Sequence, residues 1–142
     1  MIELKPIKGF NSFSLVFKAG KKFYDGELLS VFVKYESDSE TAIISNCSDE
    51  LTFYYGVTAG KKFNKKAVVR NRVRRLLRES IRKIFSERYV MLEHPPFKYA
   101  VFSWRNAPKH PSLISLNDVF PSVEKVFNSA DFYFKQNPKV SR

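Results

Sequence analysis

Three stretches of this chain repeat apolar residues at helical spacing, and others cluster or alternate them as strands do. Phe13, Val16 and Phe17 fall at i, i+3 and i+4. They lie between Asn11, a residue type that caps helix starts, and Gly20, one that ends helices. A longer helix is predicted from about 65 to 88. On its wheel Val69, Val73, Leu76, Leu77, Ser80, Ile81 and Ile84 share an arc of roughly 140°, a core-facing stripe. Ser80 fits that stripe because it is small and can hydrogen-bond within its own turn. A third helix is predicted over 115–130, with Ser115 or Asn117 near its cap and Val119, Val123, Val126 and Phe127 on one side. Pro121 fits this helix only in its first turn.

The strand candidates lie between these helices. Residues 23–35 read as one strand with an irregularity at Gly26, and 41–47 as a short one. Residues 51–59 alternate Phe53, Tyr55, Val57 and Ala59 against Tyr54, Gly56 and Thr58. Residues 97–104 form another strand candidate. Residues 37–40 (SDSE) read as a turn, and HPP at 94–96 breaks the chain. Residues 1–9, with Pro6 and Gly9, read as an irregular lead-in; 1–8 and 135–142 are expected to be flexible ends. The order is α-β-β-β-α-β-α. This predicts a single α+β domain over 1–142 in two layers, with helices packed on a mainly antiparallel sheet.

Composition narrows the function classes. With 142 residues, 44% hydrophobic and 15% aromatic, the chain is a folding domain and not a basic disordered tail. No apolar run approaches the ~20 residues of a membrane span, and MIELKPIKGF contains no apolar signal region. The single Cys47 excludes an intrachain disulfide and any multi-cysteine zinc site. A cytoplasmic protein is expected. Lys and Arg number 25 against 14 Asp and Glu, for a net charge of +11. The expected partner is a polyanion, nucleic acid first.

The charge is concentrated. Residues 61–88 hold twelve Lys and Arg against Glu79 and Glu87, a net +10. On the predicted helix Asn71, Arg74, Arg75, Arg78 and Arg82 fall within roughly 100°, opposite the apolar stripe. Solvated helix faces interleave acids with bases for i,i+4 pairing, and this face has almost no acids. It is also dominated by Arg, whose planar fork suits phosphate and whose guanidinium stacks on bases. One helix is therefore expected to dock by one side and present a rail of guanidiniums to nucleic acid on the other.

No constellation points to catalysis by the protein. His94 and His110 each neighbour a proline in loop sequence, without metal-ligand spacing. They read as surface histidines, and activity without an RNA partner would be needed to make them an acid–base pair for RNA cleavage. Asp38, Glu40, Asp49 and Glu50 lie near turns, and Cys47 reads as a small buried residue. There is no phosphate-binding or dinucleotide fingerprint.

The run KKFNKKAVVRNRVRRLLR at 61–78 resembles the signature of the bacterial ribonuclease P protein component, with Arg70-Asn71-Arg72 as its core and Arg74, Arg75 and Arg78 following. GVTAGKK at 56–62 is similar to the family's strand leading into that helix. FNSFSLVFKAG resembles its opening helix, and FKYAVFSWR its last strand. The likeness covers about 7–130. It implies a βαβ unit with a left-handed crossover, a fold shared with some ribosomal proteins and nucleotide-binding enzyme domains. It also implies an accessory subunit of an endoribonuclease whose catalyst is a large RNA using RNA-bound Mg2+. The implied partners are ribonuclease P RNA and precursor tRNA, with one protein per RNA and no membrane. Arg70, Asn71, Arg72, Arg74, Arg75 and Arg78 would face RNA phosphates, with Lys61, Lys62, Lys65 and Lys66 extending the patch. Phe13, Phe17, Phe32 and Thr58 would line a cleft for the single-stranded 5′ leader. The alternative is a ribosomal or other structured-RNA-binding accessory protein with no part in tRNA 5′ processing.

Overall fold

The structure, a computed structural model, describes residues 2–7, 10–33, 52–60, 66–92, 96–105 and 110–136. The elements are β1 (Glu3–Pro6), α1 (Phe10–Ala19), β2 (Lys21–Asp25), β3 (Leu28–Val33), β4 (Thr52–Thr58), α2 (Ala67–Arg88), β5 (Tyr99–Trp104) and α3 (Leu116–Gln136). A single 3-10 turn, Pro111–Leu113, precedes α3. The strands form one sheet in the order β1-β4-β5-β3-β2. β1 and β5 run parallel to β4, while β3 is antiparallel to β5 and β2 to β3. The sheet is thus mixed rather than mainly antiparallel. β4, α2 and β5 form a βαβ unit whose two strands are direct neighbours.

Strand alternation assigns each residue to a face. Leu28 and Phe32 of β3, Phe53 and Tyr55 of β4, and Ala100, Phe102 and Trp104 of β5 meet the buried stripes of α2 and α3. An aromatic cluster forms the centre of this core. Phe127 of α3 lies 5.3 Å from Phe32, 5.4 Å from Phe102 and 6.2 Å from Phe53, ring centre to ring centre. Each such pair contributes about 0.5–1.5 kcal/mol beyond its area. The alternate residues Val31, Val33, Tyr54, Tyr99 and Val101 pack with Val16 of α1 and with Ile7. The α+β class holds, and the layering gains a feature: the long helices cover one face while α1 lies on the other.

Three local features differ from the sequence expectation. The lead-in is not a flexible end: Glu3–Pro6 pairs with β4, Ile2 N–H donates to the Val90 carbonyl at 3.0 Å, and Ile2 and Ile7 are buried. Residues 23–35 are not one strand. Gly26 has φ +55°, which suits the first position of a two-residue hairpin turn, and the chain reverses there. Pro121 is not in the first turn of its helix. It is the sixth residue of α3, where its missing N–H forgoes one intrahelical bond. Ser115 does cap α3, since Asp118 Oδ2 accepts its backbone N–H at 2.8 Å and its hydroxyl at 3.2 Å. The strand expected at 41–47, the turn at 37–40 and Cys47 lie outside the described residues.

Candidate nucleic-acid interface

The basic helix docks as its wheel requires. Val69, Val73, Leu76, Leu77, Ser80, Ile81, Ile84 and Phe85 are buried, and Ser80 Oγ donates to the Leu76 carbonyl at 2.9 Å. Asn71, Arg75 and Arg82 are exposed; Arg70, Arg74 and Arg78 are half-buried. Lys66 stands at the N-cap position, and the first turn contains no acid and no side-chain cap. The positive end of the helix dipole therefore adds to the field of the side chains.

The guanidiniums crowd one another. Arg74 is held below the ordinary arginine range by burial first, then by Arg78 and Arg70. Its Nη2 donates to Asn71 Oδ1, so the asparagine of the Arg-Asn-Arg core orients an arginine one turn on. The ion pairs among the described residues are Lys5–Glu3 and those of Arg88 with Glu124 and Asp131; none engages Arg74, Arg75, Arg78 or Arg82. Val68, Asn71, Arg72, Arg74, Arg75 and Arg78 line a concavity of about 470 Å³. Such a surface can accept several phosphates together with a ribose or base between them.

Arg72 is different. Its Nε and Nη2 both donate to the Ile114 carbonyl, at 3.2 and 3.1 Å. It borders the concavity, but its fork is committed to the turn before α3. On the helix wheel position 72 falls outside the arc shared by Asn71, Arg74, Arg75, Arg78 and Arg82. Lys61, Lys62 and Lys65 lie outside the described residues; Lys66 is exposed at the head of α2.

The other sheet face shows a second feature. A side chain at Gly56 would bring its Cβ to 2.4 Å from the Phe13 ring, so the ring lies against bare strand backbone. Gly20 is likewise fixed by close approach, to Val31 Cγ1 at 2.3 Å, and not by a left-handed backbone. Phe13 and Phe17 are half-buried on α1, and Thr58 is half-buried on the strand face that α1 covers. Phe32 is not there. It is fully buried on the opposite face, 4.7 Å from Phe97 and 5.7 Å from Phe23, because it lies four residues after Leu28 in β3 and so shares the face that meets the long helices. It cannot line a cleft beside α1.

His110 Nδ1 accepts the Ser112 N–H at 3.1 Å and lies 2.7 Å from Ser112 Oγ, which makes it a turn residue. His94 lies outside the described residues. Among the described residues no three His, Cys, Asp or Glu gather where they could hold a metal ion, and no helix is long and apolar enough to cross a membrane.

Comparison with known proteins places these features in a family. The family model described as Ribonuclease P matches residues 3–109. A ribonuclease P protein component of Rickettsia felis is 32% identical over 92 residues, spanning 61% of this chain and 68% of the relative. One from Rickettsia akari is 28% identical over 86 residues with the same coverage. The solved ribonuclease P protein of Staphylococcus aureus superposes with a TM-score of 0.56 at 18% identity, over 88% of this chain and 94% of that one, a likeness of fold. The matched span takes in the α1 face of the sheet and the whole arginine-bearing helix, and by that match the chain belongs to the ribonuclease P protein family.

Proposed function

We propose that this chain is the protein subunit of ribonuclease P, acting in the cytoplasm as one copy on one catalytic RNA. The observation that carries this reading is the outer face of α2. Arg74, Arg75, Arg78 and Arg82 lie on a helix pinned by its buried stripe, and among the described residues no carboxylate pairs with them. Structured RNA is recognised through shape and phosphates, and a rigid row of guanidiniums suits that task. Arg70, Asn71 and Lys66 extend the contact. Asn71 acts by aiming Arg74, and Arg72 by fixing the edge of the surface.

The substrate contact is assigned to the α1 side of the sheet, where Phe13, Phe17 and Thr58 would hold the single-stranded 5′ leader of precursor tRNA. Single strands bind to aromatic platforms beside cations with little base preference. Magnesium is assigned to the RNA, where it supplies the hydrolytic chemistry. The residues of this chain bind and position, and none is assigned a catalytic role.

Reconstitution tests the reading. The purified protein is mixed with a bacterial ribonuclease P RNA and a precursor tRNA, at magnesium too low for the RNA to work well alone. Stimulated cleavage at the mature 5′ end, with none by protein alone, is expected. A folded protein that binds this RNA without stimulating it, with partner RNAs from several bacteria, would instead be a structured-RNA accessory protein.

A further inference from the structure

The register of the sheet draws a line across the face that α1 only partly covers. α1 sits over the row formed by Gly56, Val101 and Val31. The adjacent row on the same face is Thr58, Ser103, Leu29 and Tyr24, one residue from each of four neighbouring strands. Thr58, Ser103 and Leu29 are half-buried, and Tyr24 is 63% exposed at the β2 edge of the sheet. Three inter-strand spacings make this row about 14 Å long. Lys22, exposed and two residues from Tyr24, projects from the same face of the same strand.

We propose that Tyr24 is a stacking platform for a nucleotide of the single-stranded 5′ leader, at the far end of a track that starts at Thr58. This rests on the leader-binding reading above and extends it to a residue outside the α1 aromatics.

The chemistry of the row suits a single strand. The hydroxyls of Thr58 and Ser103 can hydrogen-bond sugar, phosphate or base edges, Leu29 gives an apolar floor, and Tyr24 a ring. A tyrosine at an edge position with most of its surface in water makes little contribution to the core. Among the described residues its ring packs against no other aromatic ring, unlike Phe23 beside it, which meets Phe32, Tyr133 and Phe134 on the opposite face. Lys22 supplies the cation that a strand of phosphates needs next to a stacking ring. Lys22 also blunts the sheet edge against pairing with another chain.

Because Tyr24 ends the row, its contact depends on leader length. In this polarity nucleotides near the cleavage site meet the Thr58 end first, and only a leader long enough to cross the sheet reaches the β2 edge.

The test uses the reconstituted holoenzyme with mature tRNA and with precursor tRNAs whose leaders grow one nucleotide at a time. Wild-type protein is expected to gain affinity with leader length in steps. Tyr24→Ala should remove the last step, a loss of between about five- and a hundred-fold for long leaders, and leave short-leader and mature tRNA affinities unchanged. Tyr24→Phe should keep the step, since stacking needs the ring and not the hydroxyl. A long leader carrying 4-thiouridine should crosslink to the peptide containing Tyr24 at the positions that define that step. If wild type shows leader-dependent affinity and Tyr24→Ala retains all of it, the proposal is overturned and the leader reading stands. If Tyr24→Ala weakens mature and precursor tRNA equally, the residue is structural and the proposal also fails. If wild type shows no leader dependence, the leader reading itself fails and this proposal goes with it.

Discussion

Arg72 and Ile114 are joined by two hydrogen bonds to one carbonyl oxygen, at 3.2 and 3.1 Å, which tie the arginine-bearing helix to the turn leading into α3. A charged donor to a carbonyl is worth more than a neutral one, and the pair is partly exposed, so its removal should cost about 1–2 kcal/mol. Arg72→Ala is therefore expected to lower stability and to speed amide exchange around residues 112–116. Arg72→Lys should restore part of the stability, having one donor centre where arginine presents a fork. An Arg72→Ala protein with unchanged stability and exchange, but weakened RNA binding, would make Arg72 a direct RNA contact.

Arg75 and Arg78 should behave in the opposite way. Arg75 is exposed and Arg78 half-buried, and neither pairs with a carboxylate among the described residues. Reversing both to Glu should leave stability within about 1 kcal/mol while sharply weakening binding to the catalytic RNA. The salt dependence should flatten as well, by about 0.7–0.9 in log–log slope for each phosphate no longer neutralised. Circular dichroism and a binding titration at several salt concentrations separate the two effects. Loss of the fold, or an unaltered slope, would remove this face from the interface.

The contrast among these arginines shows what was legible in sequence. The α2 wheel follows from apolar spacing alone, and every residue of the predicted stripe is buried. Arg72 became a clamp through a carbonyl 42 residues away, and no local pattern reveals such a contact. Family likeness implies a cleft position for Phe32, but strand parity turns it to the other face once the hairpin at Gly26 fixes the register of β3. The signal for that hairpin is Gly26-Glu27, a Gly-X pair between two apolar runs, which is a two-residue turn sequence. β1 was illegible because a four-residue parallel edge strand owes its structure to β4, with two prolyl or glycyl breakers nearby and little propensity of its own.

Gly56 and Phe13 should couple strongly. Gly56→Ala places a methyl 2.4 Å from the ring, so the ring must leave the strand or α1 must shift. Overpacking of this kind costs about 1–3 kcal/mol. In a Phe13→Ala background the same change should cost far less, giving a coupling energy of at least about 1 kcal/mol in a double-mutant cycle from chemical unfolding. Additive effects would mean that Phe13 swings away freely and does not rest on β4. If the α1 aromatics hold the leader, Gly56→Ala should also lower affinity for precursor tRNA and spare mature tRNA.

Tyr89 and Asp131 predict how stability responds to pH at each extreme. The Tyr89 hydroxyl donates to Asp131 Oδ2 at 2.7 Å where α2 ends against α3. Burial pushes the Tyr89 pKa far above the ordinary tyrosine value, and the hydrogen bond to Asp131 and its charge add to this. Below pH 10 Tyr89 is neutral in folded and unfolded chains alike and has no effect on the pH dependence. Above it the unfolded chain ionises while the folded one does not, so stability falls as pH rises. Tyr89→Phe lacks this slope, and the other tyrosines cancel in the comparison. The advantage of wild type over Tyr89→Phe should therefore shrink by roughly 1.4 kcal/mol between pH 8 and pH 11. At the acid end burial raises the Asp131 pKa, partly offset by Tyr89, Arg88 and Lys135. Its contribution is thus fullest below the ordinary carboxylate pKa and is lost as pH rises through the raised one. Asp131→Asn keeps an acceptor for Tyr89 and cannot ionise, so its stability should be flatter than wild type as pH rises above the ordinary carboxylate pKa of about 3.9. Urea titrations of the three proteins across both ranges measure this. Parallel curves at high pH would mean that Tyr89 ionises as readily in the fold as out of it. Parallel curves at low pH would mean that Arg88 fully compensates the buried carboxylate.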